Sequence, residues 1–260
     1  TIQQAKSRAK KAIKQGNTAL AVELYTAVLQ QQPNHPIAKN QLNKLQKELP
    51  RDRSAQAQTQ TTQPSQVQID ALVNLYQTGQ MAKAELACGQ LLKSYPQSLV
   101  VINILSAALQ GQGKLQEAVN SHNKAIQLKP RFAEAHNNRG VALRDMGMLD
   151  EALKSYDRAI QFKPDYTEAY SNRGAVLQEL GELREAMQNF DKAIQLTPDY
   201  PEAYNNRGNA LIGLGQLDKA VESCNKAIQL KPDFAEAHNS CGIALRDMGM
   251  LDEALKSYDR

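Results

Sequence analysis

The feature that most limits the fold of this chain is a period of 34 residues. The tripeptides at residues 128–130, 162–164, 196–198 and 230–232 read Leu-Lys-Pro, Phe-Lys-Pro, Leu-Thr-Pro and Leu-Lys-Pro. Gly140, Gly174, Gly208 and Gly242 keep the same step, and so do Ala152, Ala186, Ala220 and Ala254. One period held at several independent places means a stack of like units, each of which buries its apolar face against its neighbours.

Residues 133–166 serve as the reference unit. Ala135, Gly140, Val141, Leu143 and Met146 recur at helical spacing and are followed by Gly147, which breaks the pattern. Leu149, Ala152, Leu153, Tyr156, Ala159, Ile160 and Phe162 continue at three- and four-residue steps. Lys163-Pro164 ends the second run, because proline cannot continue a helix and disfavours helix in its predecessor. Each unit is therefore expected to be two antiparallel helices. Asp165, Asp199 and Asp233 stand where an N-cap or first-turn acid favours the next helix. A glycine inside a helix costs up to about 1 kcal/mol relative to alanine. Its recurrence at 140, 174, 208 and 242 predicts close backbone approach of the paired helices, met from the second helix by Ala152, Ala159 and their repeats.

The three central units read His136, Gly140, Leu143, Ala152, Tyr156, Ala159, Pro164, then Tyr170, Gly174, Leu177, Ala186, Phe190, Ala193, Pro198, then Tyr204, Gly208, Leu211, Ala220, Cys224, Ala227, Pro232. This pattern resembles the tetratricopeptide repeat family over nearly the whole chain. The departure is Arg139, Arg173 and Arg207, where the family usually has leucine. The resemblance implies an all-α, right-handed superhelical solenoid of antiparallel helix pairs. It also implies that the first helix of each unit lines a concave groove suited to an extended peptide or a helix.

The registers give residues 1–49 as a basic, degenerate repeat (2–35) with one further helix (36–49). Residues 50–64 are Gln/Thr-rich and bounded by prolines, and read as a flexible linker. Residues 65–260 are the array, with units 65–98, 99–132, 133–166, 167–200, 201–234 and a partial one at 235–260. Residues 235–260 match 133–158 except at Asn138/Ser240, Arg139/Cys241 and Val141/Ile243. The last unit stops inside its second helix, which points to a segment of a longer protein. It also leaves an apolar end suited to self-association.

Asn138, Asn172 and Asn206 recur at one place of the first helix. An amide both donates and accepts, so such a column can bond a peptide backbone without reading its sequence. The column resembles the asparagine ladder of the repeat domain of O-linked N-acetylglucosamine transferase. Ile104 and Ser240 interrupt it. The other reading is that these asparagines bond neighbouring helices. Asn137, Ser171, Asn205 and Asn239, one place earlier, and Val141, Ala175, Asn209 and Ile243, three places later, are further groove candidates. Family members that clamp a carboxylate do so with lysine and asparagine in this region. Here Glu134, Glu168, Glu202 and Glu236 stand early in the first helix, which argues against such a clamp.

The arginine column is expected to meet the preceding unit's second helix, stacking Arg139 on His122, Arg173 on Tyr156 and Arg207 on Phe190. At the next step both members change together, to Cys224 and Cys241, which predicts neighbouring reduced thiols. Projection of the arginines into the groove, toward an acidic ligand, is the other reading.

The net charge of +4 is uneven: residues 1–51 carry +7 and the remainder −3. The stretch at 5–14, AKSRAKKAIK, has a small apolar face and no aromatic anchor, so it reads as a solvated helix face rather than a membrane or nucleic-acid contact. Thr1 to Lys14 lacks the apolar core of a signal peptide, and no run of about 18 apolar residues occurs. The three cysteines show no metal spacing, and their odd count and wide separation favour a reducing, cytoplasmic setting. His122, His136 and His238 fall at packing positions of the repeat, and no nucleophile elbow, phosphate loop or HExxH occurs. A non-enzymatic module that binds proteins, with no metal or other cofactor and no nucleic acid, is the expected function. The alternative is the substrate-targeting arm of a bacterial glycosyltransferase or sulfotransferase whose catalytic domain lies beyond residue 260. The segment from Leu72 to Ser98 resembles the start of such fused repeat domains.

Overall fold

The computed structural model describes residues 2–15, 17–33, 35–48 and 63–259. All regular elements among them are helices, fifteen in number. The chain divides into two compact units, Thr1–Thr61 and Thr62–Arg260. Most of the expected linker, residues 50–62, lies outside the described residues.

The first unit holds α1 (Ile2–Lys14), α2 (Thr18–Gln31) and α3 (Pro36–Glu48). Asn17 caps α2 by accepting the Leu20 amide at 3.1 Å. Tyr25 lies at the centre, packed with Ala9, Ala12, Ala21, Val28, Ala38 and Leu45. Arg8, Lys10, Lys11 and Lys14 are exposed, so the basic face of α1 is a solvated one.

The second unit is a solenoid of helix pairs. These are α4 (Gln66–Gln77) with α5 (Met81–Ser94), α6 (Leu99–Gly111) with α7 (Leu115–Leu128), and α8 (Ala133–Asp145) with α9 (Leu149–Phe162). Then follow α10 (Thr167–Glu179) with α11 (Leu183–Leu196), α12 (Pro201–Gly213) with α13 (Leu217–Leu230), and α14 (Ala235–Asp247) with α15 (Leu251–Tyr258). Within a pair the chain reverses through a glycine with positive φ, as at Gly147 (φ 74°). The Gly147 amide donates to Arg144 O at 2.8 Å and the Met148 amide to Leu143 O at 2.9 Å. This double closure satisfies the last carbonyls of α8 and turns the chain sharply back.

Between pairs the turn differs from expectation. The N-cap residues of α10, α12 and α14 are Tyr166, Tyr200 and Phe234, without side-chain cap bonds. Asp165, Asp199 and Asp233 lie one residue outside them. The first-turn acid is Glu168, Glu202 or Glu236, which serves the same helix end. The aromatic caps are held from the turn: Lys163 Nζ lies 4.4 Å from the Tyr166 ring centre and Lys231 Nζ 4.7 Å from that of Phe234.

In the units 133–166 and 167–200 the core is a ring on the second helix set against a glycine on the first. Tyr156 and Phe190 are fully buried, as are Ala152, Ala159, Ala186 and Ala193. A Cβ built at Gly140 would stand 2.6 Å from Tyr156 Cε1, and one at Gly174 would stand 2.7 Å from Phe190 Cε1. The glycine thus makes room for the ring of its own unit's second helix. The close approach is ring to backbone rather than backbone to backbone, because the ring fills the gap between the two helices.

Candidate functional site

Successive first helices approach one another, so α8, α10, α12 and α14 form a layer on one side of the solenoid. Asparagine side chains connect this layer. Asn172 Nδ2 donates to Asn137 Oδ1 at 3.1 Å, Asn137 Nδ2 to Asn138 Oδ1 at 3.1 Å, and Asn138 Nδ2 to Asn103 Oδ1 at 3.2 Å. The run spans α10, α8 and α6. Its links step by 35 residues because the 138 place of one helix meets the 137 place of the helix before it. Asn103 belongs to that earlier place and went unnoticed in sequence. Following the Asn137 column back by one period finds it.

The remaining groove candidates separate by burial. Asn137 and Asn205 are buried, and Asn205 Oδ1 has no hydrogen-bond partner. Asn138, Asn172, Asn206 and Asn209 are half-buried, while Asn239 is exposed. The residue 35 places before Asn206 is Ser171, which carries no amide. The amide run therefore stops at α10, and Asn206 and Asn209 keep their donors and acceptors. Ser240 is buried and donates to Glu236 O at 2.8 Å, so it turns away from the column.

Helical spacing puts Glu134, Asn138, Val141 and Asp145 on one face of α8, and Glu168, Asn172, Ala175 and Glu179 on one face of α10. Glu202, Asn206 and Asn209 continue the pattern on α12. Among these acids Glu179 is engaged by Arg144, whose Nε donates to Glu179 Oε1 at 2.6 Å. The asparagine face is thus flanked by carboxylates.

The arginine column is placed differently from expectation. Arg139 Nε donates to Ser155 Oγ at 3.1 Å on α9, and its Nη1 to Asn123 Oδ1 at 3.1 Å on α7. Arg207 bridges Ser223 on α13 (3.1 Å) and Asp191 on α11 (3.2 Å). Arg173 Nε meets Asp157 Oδ1 on α9 at 2.8 Å. Each arginine reaches the preceding second helix, but one residue past the predicted ring, at 123, 157 and 191. A carboxylate or amide oxygen accepts a guanidinium hydrogen bond directly, which replaces the expected stacking on His122, Tyr156 and Phe190. The side chains thus lie among the second helices, away from the asparagine face. Cys241 occupies the same place, with Sγ 3.7 Å from Asn225 Oδ1. Cys224 and Cys241 share one core cluster as free thiols, and burial pushes the Cys224 thiol up to about 12.

The histidines are packing groups. His136 Nε2 and His238 Nε2 each lie 2.9 Å from a turn carbonyl, Pro130 O and Pro232 O. His122 is buried with neither ring nitrogen bonded. Burial, and then the Arg139 charge, hold its pKa down to about 4. Among the described residues no cluster of His, Cys, Asp and Glu has metal-binding geometry. No described helix is long and apolar enough to cross a membrane.

A family model described as TPR repeat matches residues 111–147, 142–181 and 176–215, and one described as tetratricopeptide repeat matches residues 201–234. No curated protein matches the chain significantly in sequence. Among solved structures, MamA is 27% identical with a TM-score of 0.54, over 60% of this chain and 91% of that one. PilF of Pseudomonas aeruginosa is 19% identical with a TM-score of 0.65, over 74% and 87%. YrrB, described as a TPR protein with an unusual peptide-binding site, is 21% identical with a TM-score of 0.53, over 66% and 89%.

Proposed function

Because its repeats make the chain a member of the tetratricopeptide repeat family, we propose that this protein-interaction module binds a partner's extended peptide along its layer of first helices. The observation that carries the reading is a set of half-buried amides on successive first helices with hydrogen-bonding capacity to spare. Asn206 and Asn209 have no side-chain partner among the described residues. Asn138 and Asn172 each use one amide hydrogen on a neighbouring helix and keep the other. Asn138 and Asn172, held by neighbouring amides, lose little freedom on binding, which favours affinity. They bond a peptide backbone of any sequence. The flanking Glu134, Glu168 and Glu202 then select for basic side chains along the peptide.

The test is a display of random twelve-residue peptides against the wild-type chain and the Asn138→Ala, Asn172→Ala, Asn206→Ala variant. Wild type should select peptides rich in lysine and arginine, without a fixed motif, and the variant should lose them. Selection of the same peptides by both proteins overturns the asparagine reading and leaves the fold-level one standing. Self-association belongs to the same proposal as a competing use of the apolar end at α15, where Leu251 and Leu255 are exposed. A concentration-dependent mass in sedimentation is its readout.

A further inference from the structure

The side of the solenoid formed by the second helices carries its own site, independent of the asparagine face. Each pair of successive second helices is separated by the first helix packed between them. In three of these gaps an arginine of that first helix occupies the space: Arg139 between α7 and α9, Arg173 beside α9, and Arg207 between α11 and α13. The gap between α5 and α7 is different. Leu105 stands one period before Arg139. Gly89 stands one period before Asn123, so it replaces the oxygen acceptor that Asn123, Asp157 and Asp191 supply in the later gaps. Ser121 remains, one period before the Ser155 that accepts the Arg139 Nε.

The consequence is a groove of about 700 Å³, more than one side chain fills. Leu105 and Leu109 form part of its lining, with Leu86, which is 66% exposed. A Cβ built at Gly89 meets nothing within 4 Å, so the space is open where the acceptor stands in the other gaps. Glu85 at one edge is held by Lys114 at 2.6 Å and by Gln112 at 2.9 Å. Glu117 in the first turn of α7 also lines the groove; it makes no hydrogen bond or salt bridge among the described residues, though it stands near enough to Lys114 for the two charges to attract. Lys93, in the last turn of α5, lines the groove as well. The groove is the arginine slot of the later repeats without its arginine.

We propose that this groove receives an arginine side chain from a partner peptide, flanked in that peptide by aliphatic residues. The arginine stem lies on Leu105 and Leu109, its guanidinium meets Ser121 and Glu117, and a neighbouring aliphatic side chain covers Leu86. The chemistry is that of the chain's own filled gaps, where an arginine from α8 or α12 bonds a serine on the following helix. A partner supplies the guanidinium that Leu105 does not.

The test uses the whole chain with two fluorescein-labelled capped peptides, one containing Leu-Arg-Leu and the other Leu-Glu-Leu. Fluorescence anisotropy measures affinity, and methyl NMR follows Leu86, Leu105 and Leu109. The Leu-Arg-Leu peptide should bind saturably and shift the methyl resonances of those three leucines. The Leu-Glu-Leu peptide, and a Leu105→Arg, Gly89→Asp variant that refills the slot, should each weaken binding by about ten-fold or more. Glu117→Gln should weaken it several-fold, while the triple asparagine variant should bind as wild type does. A thermal midpoint of the refilled variant at or above that of wild type shows that its loss is not unfolding. If that variant fails to fold, the Glu117→Gln affinity and the methyl shifts decide. Absence of saturable binding up to about 1 mM, equal binding of the two peptides, or shifts confined to the asparagine face overturns the proposal.

Discussion

At the scale of single residues, the repeat is a set of matched pairs sixteen places apart. Gly140 faces Tyr156, Gly174 faces Phe190, and Gly208 faces Cys224. One period earlier, Ser106 and His122 hold these places and both are buried. Gly174→Ala puts a methyl group 2.7 Å from Phe190 Cε1. Overpacking of that kind costs about 1–3 kcal/mol, against up to about 1 kcal/mol gained in helix propensity. A net loss of stability by urea denaturation is expected, and a stabilised variant would contradict the pairing. His122 predicts a pH effect. Its ordinary pKa is near 6.5 and burial lowers it to about 4 in the folded chain. Below 6.5 the unfolded chain takes up a proton that the folded chain refuses until about pH 4. The neutral imidazole's contribution is therefore intact above pH 7 and is lost progressively between 6.5 and 4, by about 3 kcal/mol at most. Thermal midpoints measured across that window should fall less steeply in the Ser106→Gly, His122→Phe variant, which copies the 174/190 pair.

At the scale of elements, the arginines are cross-braces. Arg207 binds α12 to α11 and α13 through Asp191 and Ser223. Hydrogen bonds to a charged group contribute about 1.5–3 kcal/mol, and the Asp191 side chain is 52% exposed, which screens its share. Arg207→Ala should therefore destabilise the chain by about 1–2 kcal/mol, chiefly through the Ser223 bond. A double-mutant cycle of Arg207→Ala with Ser223→Ala measures that coupling, and purely additive effects would remove the brace. The family pattern places leucine here, and Leu105 keeps it in one unit. The departure to arginine thus exchanges an apolar contact for a directional one, which at Arg139 and Arg207 spans three helices.

At the scale of the whole molecule, the second unit is a one-dimensional stack in which each helix pair leans on its neighbours. Pairs with neighbours on both sides are buried on both faces, as at α8 to α13, whereas α15 leaves Leu251 and Leu255 exposed by 60% and 62%. Amide exchange should be slowest in α8 to α13 and fastest in α15, with α4 intermediate; uniform protection would show cooperativity beyond nearest neighbours. Most of this architecture was legible in the sequence. The 34-residue step, the turn glycines and the Lys-Pro stops locate the helix pairs, because a helix ends wherever its ladder is broken. Side-chain partners were legible to within one residue. Periodicity brings each arginine to the preceding second helix but not to its acceptor, since it tells which helices meet and not how far a flexible guanidinium reaches. The asparagine column is visible in the sequence but its link to Asn103 is not, because the bonded places on successive first helices lie 35 residues apart while the helices themselves repeat every 34. The sequence by itself thus determined the helix pair and its stacking, which follow from local helix physics repeated at a fixed interval. Only the tertiary structure decided which polar groups bond each other, which are left with capacity for a ligand, and that Leu105 with Gly89 opens a groove. Those outcomes depend on distances between side chains of different units, which no one-dimensional pattern contains.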